Sequence, residues 1–188
     1  MKQKSVHFFA VMLVACMTVT PSARAAKSDS CAHCHGTDGN SSSSAFPSLA
    51  GQPKEYLLRQ MKDFKEGRRS NAMMSPSIKI LTEEDMIELS EFFAAQAPVR
   101  GSFKPDPALV TQGKAVADEL QCVACHQAGF KGMNEFPRLS RQKFPYLVKQ
   151  LKDFRDGERT NDNGIMGPTT KNLSDEQIQA LAHFLSSF

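Results

Sequence analysis

The chain has 188 residues, of which 40% are hydrophobic and 23% charged, with 23 Lys and Arg against 20 Asp and Glu. This composition is typical of a globular protein and excludes an intrinsically disordered or a membrane-embedded chain. The length suggests one or two domains. Two domains of about 80 residues would be close to the size at which a core needs an additional stabilising group.

Residues 1–25 are predicted to be a secretory signal peptide. Lys2 and Lys4 give a basic start, Phe8 to Val19 form an apolar run, and Ala23-Arg24-Ala25 is a small-x-small cleavage site. A retained membrane anchor is the weaker alternative, because the run is shorter than the roughly 18 residues that a span needs. Leu13 to Cys16 resembles a bacterial lipoprotein box, which offers lipidation at Cys16 as another alternative.

The net positive charge belongs to this segment. It contains Lys2, Lys4 and Arg24 and no acidic residue, so 20 basic and 20 acidic residues remain after its removal. A chain with this balance has no basic excess, and we therefore predict no nucleic-acid partner.

The motif Cys-x-x-Cys-His occurs twice, at Cys31 to His35 and at Cys122 to His126. It is the attachment signature for c-type haem. On a helical turn the two sulfurs lie on one face, where they can form thioethers with the haem vinyl groups, and the histidine is placed to bind the iron. We therefore predict two haem c groups. Their covalent attachment sites are Cys31, Cys34, Cys122 and Cys125, and their proximal iron ligands are His35 and His126.

Two alternatives for the cysteine pairs remain open. Zinc also binds Cys-x-x-Cys, but it would need four ligands gathered from both halves and would leave the two histidines unexplained. A redox-active disulfide within each pair lacks the surrounding strand pattern that such sites have.

The two halves of the chain form a repeat of roughly 90 residues, a period that indicates two similar domains. The segment 46–49 corresponds to 136–139, and 56–67 corresponds to 146–157. We predict a signal peptide at 1–25, a first domain at 26–97, a linker at 98–107 and a second domain at 108–188.

Both halves are predicted to be helical, and the fold class is all-α. Apolar residues recur at helix spacing from Tyr56 and from Tyr146, and each run stops at a glycine, Gly67 or Gly157. Thr82 with Asp85, and Ser174 with Gln177, are predicted N-terminal capping arrangements of the last helix in each half. A helix over about 108–121 precedes the second haem motif, and none is expected before the first.

Met74 and Met166 are the predicted sixth ligands. Met74 lies 39 residues after His35 and Met166 lies 40 residues after His126. Methionine sulfur is a soft ligand that raises the reduction potential of haem iron. Met73 is a rival to Met74. The remaining candidates, His33, His183 and Met133, are predicted to be two surface histidines and a packing residue.

The combined pattern resembles the dihaem cytochrome c4 family. It is carried by Cys31 to Asn40, Pro47 to Gln52, Tyr56 to Arg68, and Met74. The resemblance implies two class I cytochrome c folds in tandem, with their haems close together. It also implies that a carbonyl at Pro47 and at Pro137 orients the axial histidine. The sequence departs from the family where no helix is expected before the first motif and where Leu139 to Gln142 replaces Leu-Ala-Gly-Gln.

The resemblance implies a periplasmic electron carrier, not an enzyme, with no catalytic residues. Expected partners are a quinol-oxidising complex upstream and a terminal oxidase or reductase downstream, with peripheral membrane association as an option. One alternative is the dihaem electron-accepting subunit of a periplasmic dehydrogenase, such as a flavocytochrome c sulfide dehydrogenase. The other is a dihaem peroxidase, against which the two methionines argue because it needs an iron with an open or displaceable site.

Overall fold

The computed structural model describes the backbone of residues 22–188 and the side chains from residue 28 onward. Most of the predicted signal peptide, together with Cys16, lies outside the described residues. Within the described part of the chain, no helix is both long and apolar enough to cross a membrane.

The described residues form helices, and their only β-structure is an isolated bridge between Met133 and Phe136. The all-α prediction is confirmed. The first half contains α1 (Ser22–His35), α2 (Lys54–Lys65), α3 (Met74–Lys79) and α4 (Glu83–Ala94). The second half contains α5 (Pro107–Glu119), α6 (Val123–His126), a 3-10 turn (Ala128–Phe130), α7 (Phe144–Arg155), α8 (Met166–Thr170) and α9 (Asp175–Ser186).

The helix ends follow from local sequence. Thr82 and Ser174 each form a capping box, in which the hydroxyl accepts from the backbone N–H three residues on and that residue's side chain accepts from the cap N–H. Helices α2 and α7 end just before Gly67 and Gly157, whose φ angles of +79° and +76° suit glycine. The predicted caps and stops are therefore confirmed.

Helix α1 differs from the prediction. It runs unbroken from Ser22 through the first haem motif to His35, so the expectation that no helix precedes this motif is wrong. Its sequence contains neither Gly nor Pro, and Cys31 packs against the core residues Leu57, Leu89 and Phe93. In the second half the helix is interrupted instead, because Gln121 has a φ of +52° between α5 and α6.

The two cores differ in continuity. The first half has two small apolar clusters, one around Leu89 and Phe93 and the other around Phe64 and Ile78. The second half has a single cluster. Its buried members are Ala117, Phe130, Leu147, Leu173, Ile178, Leu181, Ala182 and Leu185. The first domain is thus the less completely packed of the two.

His183 fastens the linker to the second domain. Its ring lies 5.2 Å from that of Phe103 and 4.7 Å from that of Phe144, and its Nδ1 accepts from the backbone N–H of Asp106 at 3.0 Å. His183 is thus half-buried and more constrained than the predicted surface residue, and it does not line the cavity, whereas His33 is exposed as predicted. Met133 is 48% exposed, so the expectation that it packs is also wrong.

Gly113 allows α5 and α9 to cross closely, and its replacement tests this contact. A Cβ at Gly113 would lie 2.0 Å from the carbonyl oxygen of Ala180, which is backbone and cannot turn away. Helix propensity alone would favour alanine by about 1 kcal/mol. We expect the clash to outweigh this gain, so that Gly113→Ala lowers the free energy of unfolding of the holoprotein by about 1–3 kcal/mol in chemical denaturation.

The matched control is Gly101→Ala. A Cβ there would meet only the flexible side chain of Lys143, at 3.4 Å, so little change is expected. Equal stability of the Gly113→Ala and Gly101→Ala proteins would contradict the proposed crossing.

Candidate functional site

A cavity of about 1020 Å³ is bordered by both halves of the molecule. The predicted site residues that line it are Cys31, Cys34, His35, Met74, Cys125, His126 and Met166. Cys122 is the one predicted site residue outside this lining, and it packs half-buried against the second core cluster. The structure thus brings the residues of both predicted haem sites to one continuous space between the domains.

All four motif cysteines are half-buried, which fits the predicted covalent attachment. Cys31 and Cys34 lie one turn apart on α1, both are half-buried, and none of the four motif cysteines forms a disulfide. Burial raises the pKa of Cys31 and of Cys122, which favours the neutral thiol. Among the described residues, no group of three or more His, Cys, Asp and Glu side chains could hold a metal ion, which gives no support to the zinc alternative.

One ring nitrogen of His35 makes a hydrogen bond and the other makes none. Its Nδ1 lies 2.8 Å from the carbonyl oxygen of Pro47, and because a carbonyl only accepts, the proton is on Nδ1. Its Nε2 is buried and has no hydrogen-bond partner. Burial lowers the pKa of His35, partly offset by the Pro47 bond, which favours the neutral ring; with the proton on Nδ1, its lone pair is on Nε2. This is the state in which an imidazole binds iron.

His126 repeats the hydrogen bond at Nδ1. It is buried, and its Nδ1 donates to the carbonyl oxygen of Pro137 at 2.9 Å. Burial again lowers the pKa, and the Pro137 bond again offsets part of the effect. The loop is tight at Gly132, whose φ is +72° and where a Cβ would lie 2.4 Å from the backbone nitrogen of Arg138. Only glycine fits there.

Each predicted methionine ligand is the first residue of a short helix. Met74 begins α3 and packs, half-buried, beside the Phe64 cluster, with its backbone N–H donating to Asn71 Oδ1 at 3.0 Å. Met166 begins α8, with its backbone N–H donating to the Asp162 carboxylate. Met73 is 56% exposed, which favours Met74 as the residue that faces a bound group.

A pair of equivalent glutamines joins the two domains. The Gln142 side chain accepts from the backbone N–H of Ser48 at 2.8 Å and donates to its carbonyl at 2.9 Å. Gln52 does the same to Arg138, at 2.9 Å and 2.8 Å. Since Ser48 corresponds to Arg138 and Gln52 to Gln142 in the repeat, the two contacts are related by an approximate two-fold axis.

Two arginines form a second symmetric layer of the interface. Arg159 donates to Gln60 Oε1 at 2.8 Å and Gln150 Oε1 at 2.6 Å, and Arg69 donates to the same two oxygens at 2.7 Å and 2.8 Å. Each guanidinium also reaches a tyrosine of the other domain, at 3.0 Å for Arg69 with Tyr146 and 3.4 Å for Arg159. Arg159 is buried and Arg69 half-buried at the interface between the domains.

Unpartnered donors mark where an anionic group would lie. Arg138 Nε and Gln60 Nε2 are buried without a partner, and both residues line the cavity. Burial, with the neighbouring Arg141 cation, lowers the pKa of Arg138 to about 10, so the side chain is still charged at neutral pH. A buried cation of this kind needs a partner. The carboxylates of haem supply the matching charge, so the cavity fits the predicted cofactor in its polar as well as its apolar lining.

Sequence reasoning missed the interface residues. Gln52 and Gln142 were noted only as part of the family pattern, and Arg69 and Arg159 not at all, because none of the four belongs to a haem motif. In the repeat Gln52 corresponds to Gln142 and Arg69 to Arg159, but such equivalence alone does not mark an interface. Lys62 and Lys152 are also equivalent, and each pairs with a carboxylate of its own domain.

Comparisons with known proteins agree with the geometry. The family model described as Cytochrome c matches residues 21–96 and, separately, 110–188. Cytochrome c4 of Pseudomonas aeruginosa is 39% identical over 171 residues, covering 85% of this chain and 84% of the relative. The thiosulfate dehydrogenase electron acceptor of Thiomonas intermedia is 33% identical over 172 residues, covering 84% of this chain and 78% of the relative. The crystal structure of reduced cytochrome c4 from Pseudomonas stutzeri superimposes with a TM-score of 0.81 at 34% identity, covering 89% of this chain and 97% of that one.

Arg159→Met tests the polar interface. The substitution keeps the apolar stem but removes one donor each from Gln60, Gln150 and Asn161. The two glutamine oxygens still accept from Arg69, so the loss falls on Asn161 Oδ1. One unsatisfied buried group costs about 1–3 kcal/mol, and we expect the free energy of unfolding to fall by that amount. Chemical denaturation of the holoprotein measures it.

Lys114→Met is the control. Lys114 pairs with Asp118 on the surface of α5, with both side chains about 60% exposed, and such a pair contributes about 0.5 kcal/mol or less. If Arg159→Met were no more destabilising than Lys114→Met, the interface would not depend on the arginine layer.

Proposed function

Because this chain is a member of the cytochrome c family and, within it, of the dihaem cytochrome c4 proteins with two haem c groups, we propose a role for each site residue. The proposed attachment sites are Cys31 and Cys34 for the first haem and Cys122 and Cys125 for the second. The proposed axial ligands are His35 with Met74 and His126 with Met166. The observation that carries the proposal is the buried, unpartnered Nε2 of His35 beside a cavity that Met74 also lines.

The chain is an electron-transfer protein. We propose that protein ligands fill both of the coordination positions that haem leaves on each iron. When bound, haem supplies the exchange of one electron between Fe(III) and Fe(II). The protein residues would orient the imidazole through its Nδ1 bond, supply a methionine sulfur as a second ligand, and exclude water with the surrounding apolar clusters. An iron with two protein ligands has no position for a substrate, which favours a carrier over a peroxidase.

The proposed domains are residues 26–97 and 108–188, joined by the linker 98–107. The two separate family matches, at 21–96 and 110–188, support this division. The polar interface fixes one domain against the other, so that a single cavity borders both haem motifs. Electrons would then pass between the two haems within one molecule.

Proteins of this family exchange electrons with other redox proteins. We propose that this one works in the periplasm, after removal of residues 1–25, between a quinol-oxidising complex and a terminal oxidase or reductase. Peripheral membrane association is compatible with this role.

A second candidate is that the chain accepts electrons from a periplasmic dehydrogenase. The observation that favours it is the similarity to a protein described as a thiosulfate dehydrogenase electron acceptor. A flavocytochrome c sulfide dehydrogenase is another enzyme of this kind. Purification of the native protein distinguishes the candidates, because a stable complex whose haems are reduced on addition of the enzyme's substrate favours the second.

Met74→Leu tests the proposal that Met74 is a ligand of the first iron. Loss of the sulfur opens one coordination position, so we expect the reduced variant to bind one carbon monoxide per protein rapidly. We also expect the potential of that haem to fall, since methionine ligation raises it. The visible spectrum and a redox titration measure both effects.

The control is Met73→Leu, because Met73 is adjacent but 56% exposed. It should behave as the wild-type protein, which binds no carbon monoxide rapidly. Rapid binding by Met73→Leu, with none by Met74→Leu, would make Met73 the ligand and the present assignment wrong.

The intact mass of the exported protein tests attachment and processing together. The expected mass is that of residues 26–188 carrying two haem groups. Cys16→Ser should leave it unchanged, because the segment that contains Cys16 is removed. A chain that begins at Cys16 with an added lipid would instead establish membrane anchoring.

A further inference from the structure

The peptide group that orients each axial histidine is itself held by a glutamine of the other domain. The carbonyl of Pro47, which accepts from His35 Nδ1 at 2.8 Å, and the N–H of Ser48 belong to one peptide group. That N–H donates to Gln142 Oε1 at 2.8 Å, and Ser48 is 2% exposed. An unbroken chain of hydrogen bonds therefore runs from Gln142 in the second domain to the ring of His35 in the first.

The same chain exists in the opposite direction. The carbonyl of Pro137, which accepts from His126 Nδ1 at 2.9 Å, shares a peptide group with the N–H of Arg138. That N–H donates to Gln52 Oε1 at 2.9 Å. The ring of His126 in the second domain is thus connected to Gln52 in the first.

Donation by a peptide N–H strengthens the carbonyl of the same peptide as an acceptor. Hydrogen bonds in a chain polarise one another, by an estimated 10–30% per bond in a medium of low dielectric constant. A stronger acceptor draws the Nδ1 proton further from the imidazole and makes Nε2 a better electron donor. A more basic ligand stabilises Fe(III) relative to Fe(II), which lowers the reduction potential.

We propose that Gln142 and Gln52 are positioning residues that act across the domain interface. Each sets the reduction potential of the haem in the other domain. Gln142 acts on the haem ligated by His35, and Gln52 acts on the haem ligated by His126. The inference rests on the proposed function, since it requires that these two histidines bind the irons.

Both glutamines are suited to this role by their burial. Gln52 is 4% and Gln142 5% exposed, so water does not replace their oxygens as acceptors. Each side chain is also fixed at its amide nitrogen, which donates to the carbonyl of the same residue that it accepts from. The glutamine oxygen is therefore held in place. Only one peptide group separates it from the histidine, so the polarisation it causes acts directly on the histidine hydrogen bond.

The test compares Gln142→Met and Gln52→Met in the holoprotein by an NMR-monitored redox titration, in which ring-methyl signals of each haem report its own oxidation state. We expect Gln142→Met to raise the potential of the His35 haem more than that of the other haem. Gln52→Met should raise the potential of the His126 haem more. The Nδ1 proton of the affected histidine, observed in the reduced protein with labelled histidine, should move upfield as its hydrogen bond weakens.

Two further variants distinguish the loss of the hydrogen-bond acceptor from a general loss of stability of the fold. Gln142→Glu keeps an acceptor for the Ser48 N–H, so the His35 haem should titrate at or below its wild-type potential, opposite to Gln142→Met. Gln96→Met, in the same domain as Gln52, removes an amide that donates to the Phe92 carbonyl and contacts neither histidine peptide. It should shift neither potential.

The inference is overturned if each substitution acts mainly on the haem of its own domain, if it acts on both equally, or if it acts on neither. The proposed function fails by a different observation. A wild-type protein that does not show two titrating haems, each with a hydrogen-bonded Nδ1 proton on its histidine, would contradict the ligand assignment before any variant is compared.

Discussion

The hydrogen bond between the histidine of each haem motif and a proline carbonyl is the constraint on which the rest of the structure depends. A buried imidazole can present one nitrogen to a metal only if the other is fixed and carries the proton. Here the Pro47 and Pro137 carbonyls meet that requirement at 2.8 Å and 2.9 Å. The loops that carry them must be held rigidly, and in this molecule the opposite domain holds them.

The interface therefore supports the site as well as joining the domains. The first domain has only two small apolar clusters, and polar contacts with the second domain secure its haem-facing loop. The half-buried Arg69 and the buried Arg159 add positive charge to the same interface and share the Gln60 and Gln150 oxygens as acceptors. In this two-domain arrangement, each domain thus supplies a glutamine side chain that holds the histidine-orienting loop of the other domain.

Much of this could be predicted from sequence, because the chemistry is concentrated in short motifs. The Cys-x-x-Cys-His repeats, the capping boxes at Thr82 and Ser174 and the glycine stops all depend on neighbours in the chain. The contacts of Gln52 with Arg138 and of His183 with Phe103 depend on residues 86 and 80 positions apart, which no local pattern specifies. Helix α1 was missed because its start was assigned to the signal peptide, although its composition suits a helix.

The proton NMR spectrum of the fully reduced holoprotein tests whether both irons carry a methionine as well as a histidine. A methyl group that lies over a haem plane is shifted far upfield by the ring current of the haem. Our account predicts two such singlets of three protons each, from Met74 and Met166. Fewer than two would show that at least one iron lacks its methionine, and would contradict the account.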